Sequence, residues 1–146
     1  MTHALPDPRI QAEFYQDLAI KRFFAWIVDG FLVFLLCLLV LPFTAFLGLF
    51  FFPLLWLVLG FFYRWTTLSG GSSTWGMRLM AIEFRTSLGH RFDGTTAFFH
   101  TLIYTLAMGT FVLQAVSVVM ILMSPRRQSL ADLMLGTAAI NHAAAQ

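Results

Sequence analysis

Three ionisable residues stand where an apolar chain would not ordinarily carry them. Arg22 opens a hydrophobic run, Asp29 lies inside it, and Asp132 follows a basic corner, Arg126-Arg127, near the end of the sequence. Arg22 and Asp29 are seven residues apart, about 700° around an ideal helix, so they share one stripe at a separation of roughly 10 Å along the axis. A carboxylate at the centre of a membrane helix costs roughly 2.5–3.5 kcal/mol, so Asp29 is expected to face protein or a wet cavity. Its chemistry there would be to exchange a proton or small cation, or to hold helices together by hydrogen bonds and a pair with Arg22. Asp132 stands three residues after Ser129, the S-x-x-[DE] spacing of a capping box, which makes it a helix cap as readily as a ligand. Arg126 and Arg127 read first as topology determinants and second as contacts to anionic lipid headgroups.

Other constellations carry less. Residues 71–76 have the G-x-x-x-x-G spacing of a phosphate loop, but Met77-Arg78 replaces the lysine and hydroxyl that such a loop needs. His3, His90, His100 and His142 lack the paired spacing of metal ligands, and neither a metal nor a cofactor is expected. His100, near the start of a long apolar segment, is the one histidine retained as a pH-sensitive group. Ser72, Ser73 and Thr74 have no neighbouring base in the sequence, so the chain is not expected to be an enzyme. The single cysteine, Cys37, offers neither a disulfide nor a CxxC motif.

The elements that must position these residues follow from composition. The chain has 146 residues, 59% hydrophobic and 11% charged, with a mean hydropathy of +0.79. These values predict an all-α, polytopic helical membrane protein. A net charge of +2 without interleaved basic and aromatic residues excludes nucleic acid as a partner, and leaves membrane lipids and other membrane helices, as a homo-oligomer or within a larger assembly. Residues 1–19 are too acidic and too broken by proline for a signal peptide, and 1–20 form an interfacial segment, helical over 11–20. Residues 23–41 and 43–63 each approach the ~20 apolar residues needed to cross a bilayer, giving two clear transmembrane helices. The connector 64–94 is polar, with alternation at 80–85 and turn residues beyond, which predicts a short strand or hairpin. Residues 95–123 form a third apolar segment, and a tail helix is expected over 128–140.

All nine lysines and arginines fall in the N-terminal segment, the connector and the tail, so the positive-inside rule places all three in the cytoplasm. One helix over 95–123 would be roughly 44 Å long and would carry the tail across the membrane. A bent or re-entrant pair hinged near Gly109 reconciles the charges, and one tilted crossing that breaks the rule is the alternative.

These residues resemble the RDD family of membrane proteins, named for one arginine and two aspartates. Arg22, Asp29 and Asp132 are the matching positions, within the seven-residue Arg-to-Asp spacing and the segment RRQSLADLMLGT. The connector GGSSTWGMRLMAIEFRTSLG resembles the family's G-x-T-x-G-[KR]-R-L segment, with Met77 where a basic residue is common and Ala131 where histidine is frequent. The resemblance covers residues 21–140 and implies a multi-pass protein of the bacterial inner membrane, with transport or ion exchange the role proposed for some members. The expected function is therefore transport-related, with a proton or small-cation site at Asp29. The alternative is a non-catalytic assembly or interaction module in which the Arg/Asp cluster is structural.

Overall fold

The computed structural model describes residues 5–142. The first element among the described residues is a 3-10 turn, Ala12–Phe14, rather than an interfacial helix over 11–20, and α1 follows at Leu18–Val40. At 23 residues α1 is about 34 Å long, enough for a bilayer core. Leu18, Ala25, Asp29, Val33 and Cys37 form its buried stripe, while Phe23, Phe31, Leu39 and their neighbours face outward. An exposed apolar surface of this extent is a liability in water and the normal solvent contact in lipid. Residues 12–44 are the one stretch among the described residues long and apolar enough to cross a membrane by itself.

The second crossing expected at 43–63 is not one helix. Pro42 and the left-handed residues Ala45 and Phe46 break the chain into 3-10 turns at Leu41–Thr44 and Leu47–Leu49. Helix α2 then starts at Phe52–Gly71 with Pro53 in its first turn, where a missing N–H costs nothing. It runs eight residues into the predicted connector and carries Arg64, so the count of two clear spans is not sustained.

Thr74 caps the short α3, Trp75–Leu79, by accepting the Met77 N–H at 3.2 Å. Strand β1, Ile82–Arg85, follows. It is the short strand that the alternation at 80–85 predicts, and not one arm of a local hairpin. The turn after it closes with the Thr86 N–H on the His90 carbonyl at 2.8 Å, but the Phe92 N–H then donates to Ser72 Oγ at 3.0 Å and cannot continue a ladder. The partner of β1 is β2, Ala138–Asn141, antiparallel, with Phe84 opposite Ala139. The chain is therefore mostly helical rather than all-α. The tail helix expected over 128–140 is only α6, Leu130–Leu135, ended by Gly136 in a left-handed conformation.

Helices α4, Gly94–Gly109, and α5, Phe111–Met123, meet at 118°, with the extended residue Thr110 between them. A straight tilted crossing over 95–123 is thereby replaced by a bent pair, broken one residue from the expected hinge. The main core gathers where the sheet meets α1, α2 and α4, around Leu18, Leu68, Ile82, Phe84, Phe92 and Ala97. The helices thus carry their apolar surface outward, and the sheet supplies the close-packed centre.

Candidate functional site

Two separate carboxylate centres replace the single Arg22–Asp29–Asp132 cluster expected from the sequence. In the first, Arg22 Nη1 meets Asp132 Oδ2 at 2.7 Å. His100 Nε2 lies 2.7 Å from Asp132 Oδ1, which also accepts the Thr137 hydroxyl at 2.9 Å. The Ser129 N–H donates to Oδ2 at 3.0 Å and Ser129 Oγ accepts the Asp132 N–H, a complete capping box. Cap and ion pair are thus the same carboxylate, fully buried. Burial by itself would raise the Asp132 carboxyl, but the Arg22 charge and the His100 and Ser129 hydrogen bonds outweigh it and hold the group well below the usual carboxylate range. His100 Nδ1 is buried without a hydrogen-bond partner, which fits the neutral Nε2–H tautomer donating to Asp132. Helix α4 therefore supplies an imidazole to Asp132, where the residue before it, Ala131, has none to give.

The second centre surrounds Asp29. Oδ1 accepts the Tyr63 hydroxyl at 2.7 Å and the Gly76 N–H at 2.9 Å, and Oδ2 accepts the Thr74 hydroxyl at 2.6 Å. Arg22 and Asp29 occupy one face of α1, but the axial distance between them leaves each to reach the element opposite: Arg22 to α6 and Asp29 to α2 and α3. Gly76 is required by this approach. A Cβ there would lie 2.3 Å from the Ala25 carbonyl oxygen and 2.8 Å from Asp29 Oδ1. Since a helix backbone cannot yield as a flexible side chain does, Gly76→Ala is expected to push α3 off α1 and to destabilise the protein by about 1–3 kcal/mol. Thermal unfolding in detergent micelles measures it, and an unchanged midpoint would contradict the packing.

Asp29 also lines a cavity of about 310 Å³ between α1, α2 and α4. Gly30 and Gly60 leave it open on facing helices, since no side chain projects there from either. Its other charged residue is Arg64, whose guanidinium stacks 3.9 Å from the centroid of the Tyr104 ring.

The remaining predicted positions have protein partners. Arg126 Nε donates to the Pro6 carbonyl at 3.3 Å, Arg127 donates to the Leu122 carbonyl, and the Arg127 carbonyl accepts from Arg22 at 3.3 Å. Both arginines thus tie the corner between α5 and α6 to its surroundings. His142 lies 3.2 Å from Glu83, and His3 lies outside the described residues. Among the described residues no group of three or more His, Cys, Asp or Glu could hold a metal ion. Sequence reasoning missed Tyr63, Thr137 and Arg64. Thr74 and Gly76 were within the quoted connector motif, and their spacing as cap and first-turn residue was the available signal.

Neither a curated protein nor a solved structure matches the chain. The profile of the RDD family matches residues 18–136, a range that holds Arg22 at the start of α1, Asp29 within it and Asp132 in α6. With both carboxylate centres inside that range and most of its length matched, the chain belongs to the RDD family of membrane proteins.

Proposed function

We propose that this protein has a transport-related role in which Asp29 takes up and releases a proton or small cation. One observation carries the reading: Asp29 lines a cavity, whereas Asp132 is sealed beneath Arg22 and His100. The Tyr63 and Thr74 hydroxyls can rotate, turning oxygen lone pairs toward a bound cation or their hydrogens toward the bare carboxylate. A single chain offers few walls for a pathway, so the reading includes a homo-oligomer or a larger membrane partner. It also places the N-terminus, connector and tail in the cytoplasm of a bacterial cell, with α4 and α5 as a re-entrant pair and Arg126 and Arg127 near lipid headgroups.

Asp29→Asn separates charge from shape. An asparagine can keep its carbonyl on Tyr63 and Gly76 and give its amide to Thr74, so the fold should persist. Proteoliposomes with an imposed proton or sodium gradient are expected to lose flux in this variant while keeping wild-type melting behaviour. Full flux would eliminate Asp29 as the exchanging group. A second reading, an assembly module with structural carboxylates, is favoured by the three donors already directed at Asp29. It predicts lower folded yield or partner recovery in the same variant, with no flux to lose.

A further inference from the structure

The cavity has a feature that cation exchange does not use. Asp29 is only 8% exposed and its two oxygens accept three hydrogen bonds, so the carboxylate has room for nothing larger than the proton or small cation it exchanges. Arg64 is the opposite. It makes no ion pair among the described residues, its Nε is buried without a hydrogen-bond acceptor, and its guanidinium lies over the Tyr104 ring. A lining cation with an unused donor calls for an anion, since an unpaired buried charged donor is costly and a charge-assisted bond removes that cost.

The rest of the lining defines what the anion is attached to. Trp26, Ile27, Val33, Trp56, Leu57 and Met108 make the walls apolar. Trp26 is nearest the end of α1 that carries Lys21 and Arg22, and Val33 lies seven residues further along, roughly 10 Å deeper. Gly60 contacts the Val33 level of α1, and Arg64 stands one helical turn beyond Gly60, toward the Lys21 end. The cavity therefore runs along the α1 axis from a polar end, where Arg64 stands near the already hydrogen-bonded Asp29, to an apolar end. A free anion would use only the polar end.

We infer that this cavity binds an anionic phospholipid, its phosphate on Arg64 and the upper part of an acyl chain between α1 and α2. The assignment does not depend on cation exchange at Asp29. Native mass spectrometry of the purified full chain, mixed with equal amounts of phosphatidylglycerol and phosphatidylcholine, provides the test. Wild-type protein is expected to retain phosphatidylglycerol over phosphatidylcholine by about fivefold, the preference that one basic residue near an anionic headgroup supplies. Arg64→Gln should abolish the preference and Arg64→Lys restore most of it. Gly60→Leu, which extends a side chain from the wall into the cavity, should lower retention of both lipids, and serves as the second variant if Arg64→Gln does not fold. Asp29→Asn removes a negative charge from the same cavity, so it should keep or strengthen the preference whether or not it loses flux, which separates this site from the exchange reading. Equal retention of the two lipids by the wild type would overturn the assignment. So would an unchanged preference in a folded Arg64→Gln protein, and so would displacement of phosphatidylglycerol by equimolar inorganic phosphate, which would mark a small-anion site.

Discussion

Replacing Arg22 by methionine is expected to destabilise the protein by about 3–5 kcal/mol, the cost of leaving one partner of a buried ion pair uncompensated. Asp132 is fully buried, and without Arg22 its charge would rest on His100, Thr137 and the Ser129 N–H alone. The double variant Arg22→Met/Asp132→Asn should recover part of the loss, because the orphaned charge is gone while Ser129 and Thr137 keep a polar partner. Reversible unfolding in mixed micelles measures all three proteins. A loss under about 1 kcal/mol for Arg22→Met would mean the pair is worth no more than a hydrated surface contact. The same carboxylate sets an acid limit. Folded Asp132 binds its proton more weakly than the unfolded chain does, so acid favours unfolding. Its contribution is fully present above the unfolded value near pH 4 and is lost as pH falls toward the lower folded value. The wild type should therefore weaken below about pH 4, and Asp132→Asn should weaken less over that range.

Phe84→Ala should cost a further-reaching loss, about 3–5 kcal/mol, from the centre of the core. The ring is fully buried, stacks on Phe92 at 5.1 Å between centroids and meets the His100 ring at 4.5 Å. Arg22 and Arg64 lie 5.3 and 5.9 Å from its centroid. One side chain thus touches the imidazole of the Asp132 centre, the guanidinium that pairs with it and the arginine of the cavity. Phe84→Leu keeps most of the volume and removes the ring face, so its smaller loss isolates the aromatic and cation–π share, about 1–2 kcal/mol. If alanine and leucine were equally damaging, ring geometry rather than filled volume would dominate this core.

The two acid centres differ in what they hold together. Asp132 joins α1, α4 and α6, and so fastens the chain beyond the bent pair to the start of the first helix. Asp29 joins α1 to α2 and α3 beside the cavity. A variant at one should leave the other's hydrogen bonds in place, so losses at Arg22 and Asp29 should add rather than couple.

Much of this was legible in the residues themselves. The length and hydropathy of α1 mark a crossing because bilayer thickness is a constraint that composition alone can meet. The Ser129–Asp132 capping box was readable from its spacing, since a cap involves atoms only a turn apart. The break beside Gly109 followed from charge placement and from a segment too long for one crossing. The resemblance to the RDD family, carried by Arg22, Asp29 and Asp132, was likewise local to short motifs.

Tertiary structure decided the rest, wherever the partner is distant along the chain. Helical periodicity puts Arg22 and Asp29 on one stripe, and only the packing of α6 and α3 against that stripe separates them into two centres. The alternation in β1 announces a strand but not its partner, which lies 53 to 59 positions further along the sequence, because Phe92 is diverted to Ser72. Local pattern likewise could not show that Ala45 and Phe46 would break the second apolar run. Residues such as Tyr63 and Arg64 look like an interfacial aromatic and a topology charge until α1 and α4 enclose them. Spacing records what a residue can do with its own helix, and contact across the fold determines which of those capacities it uses.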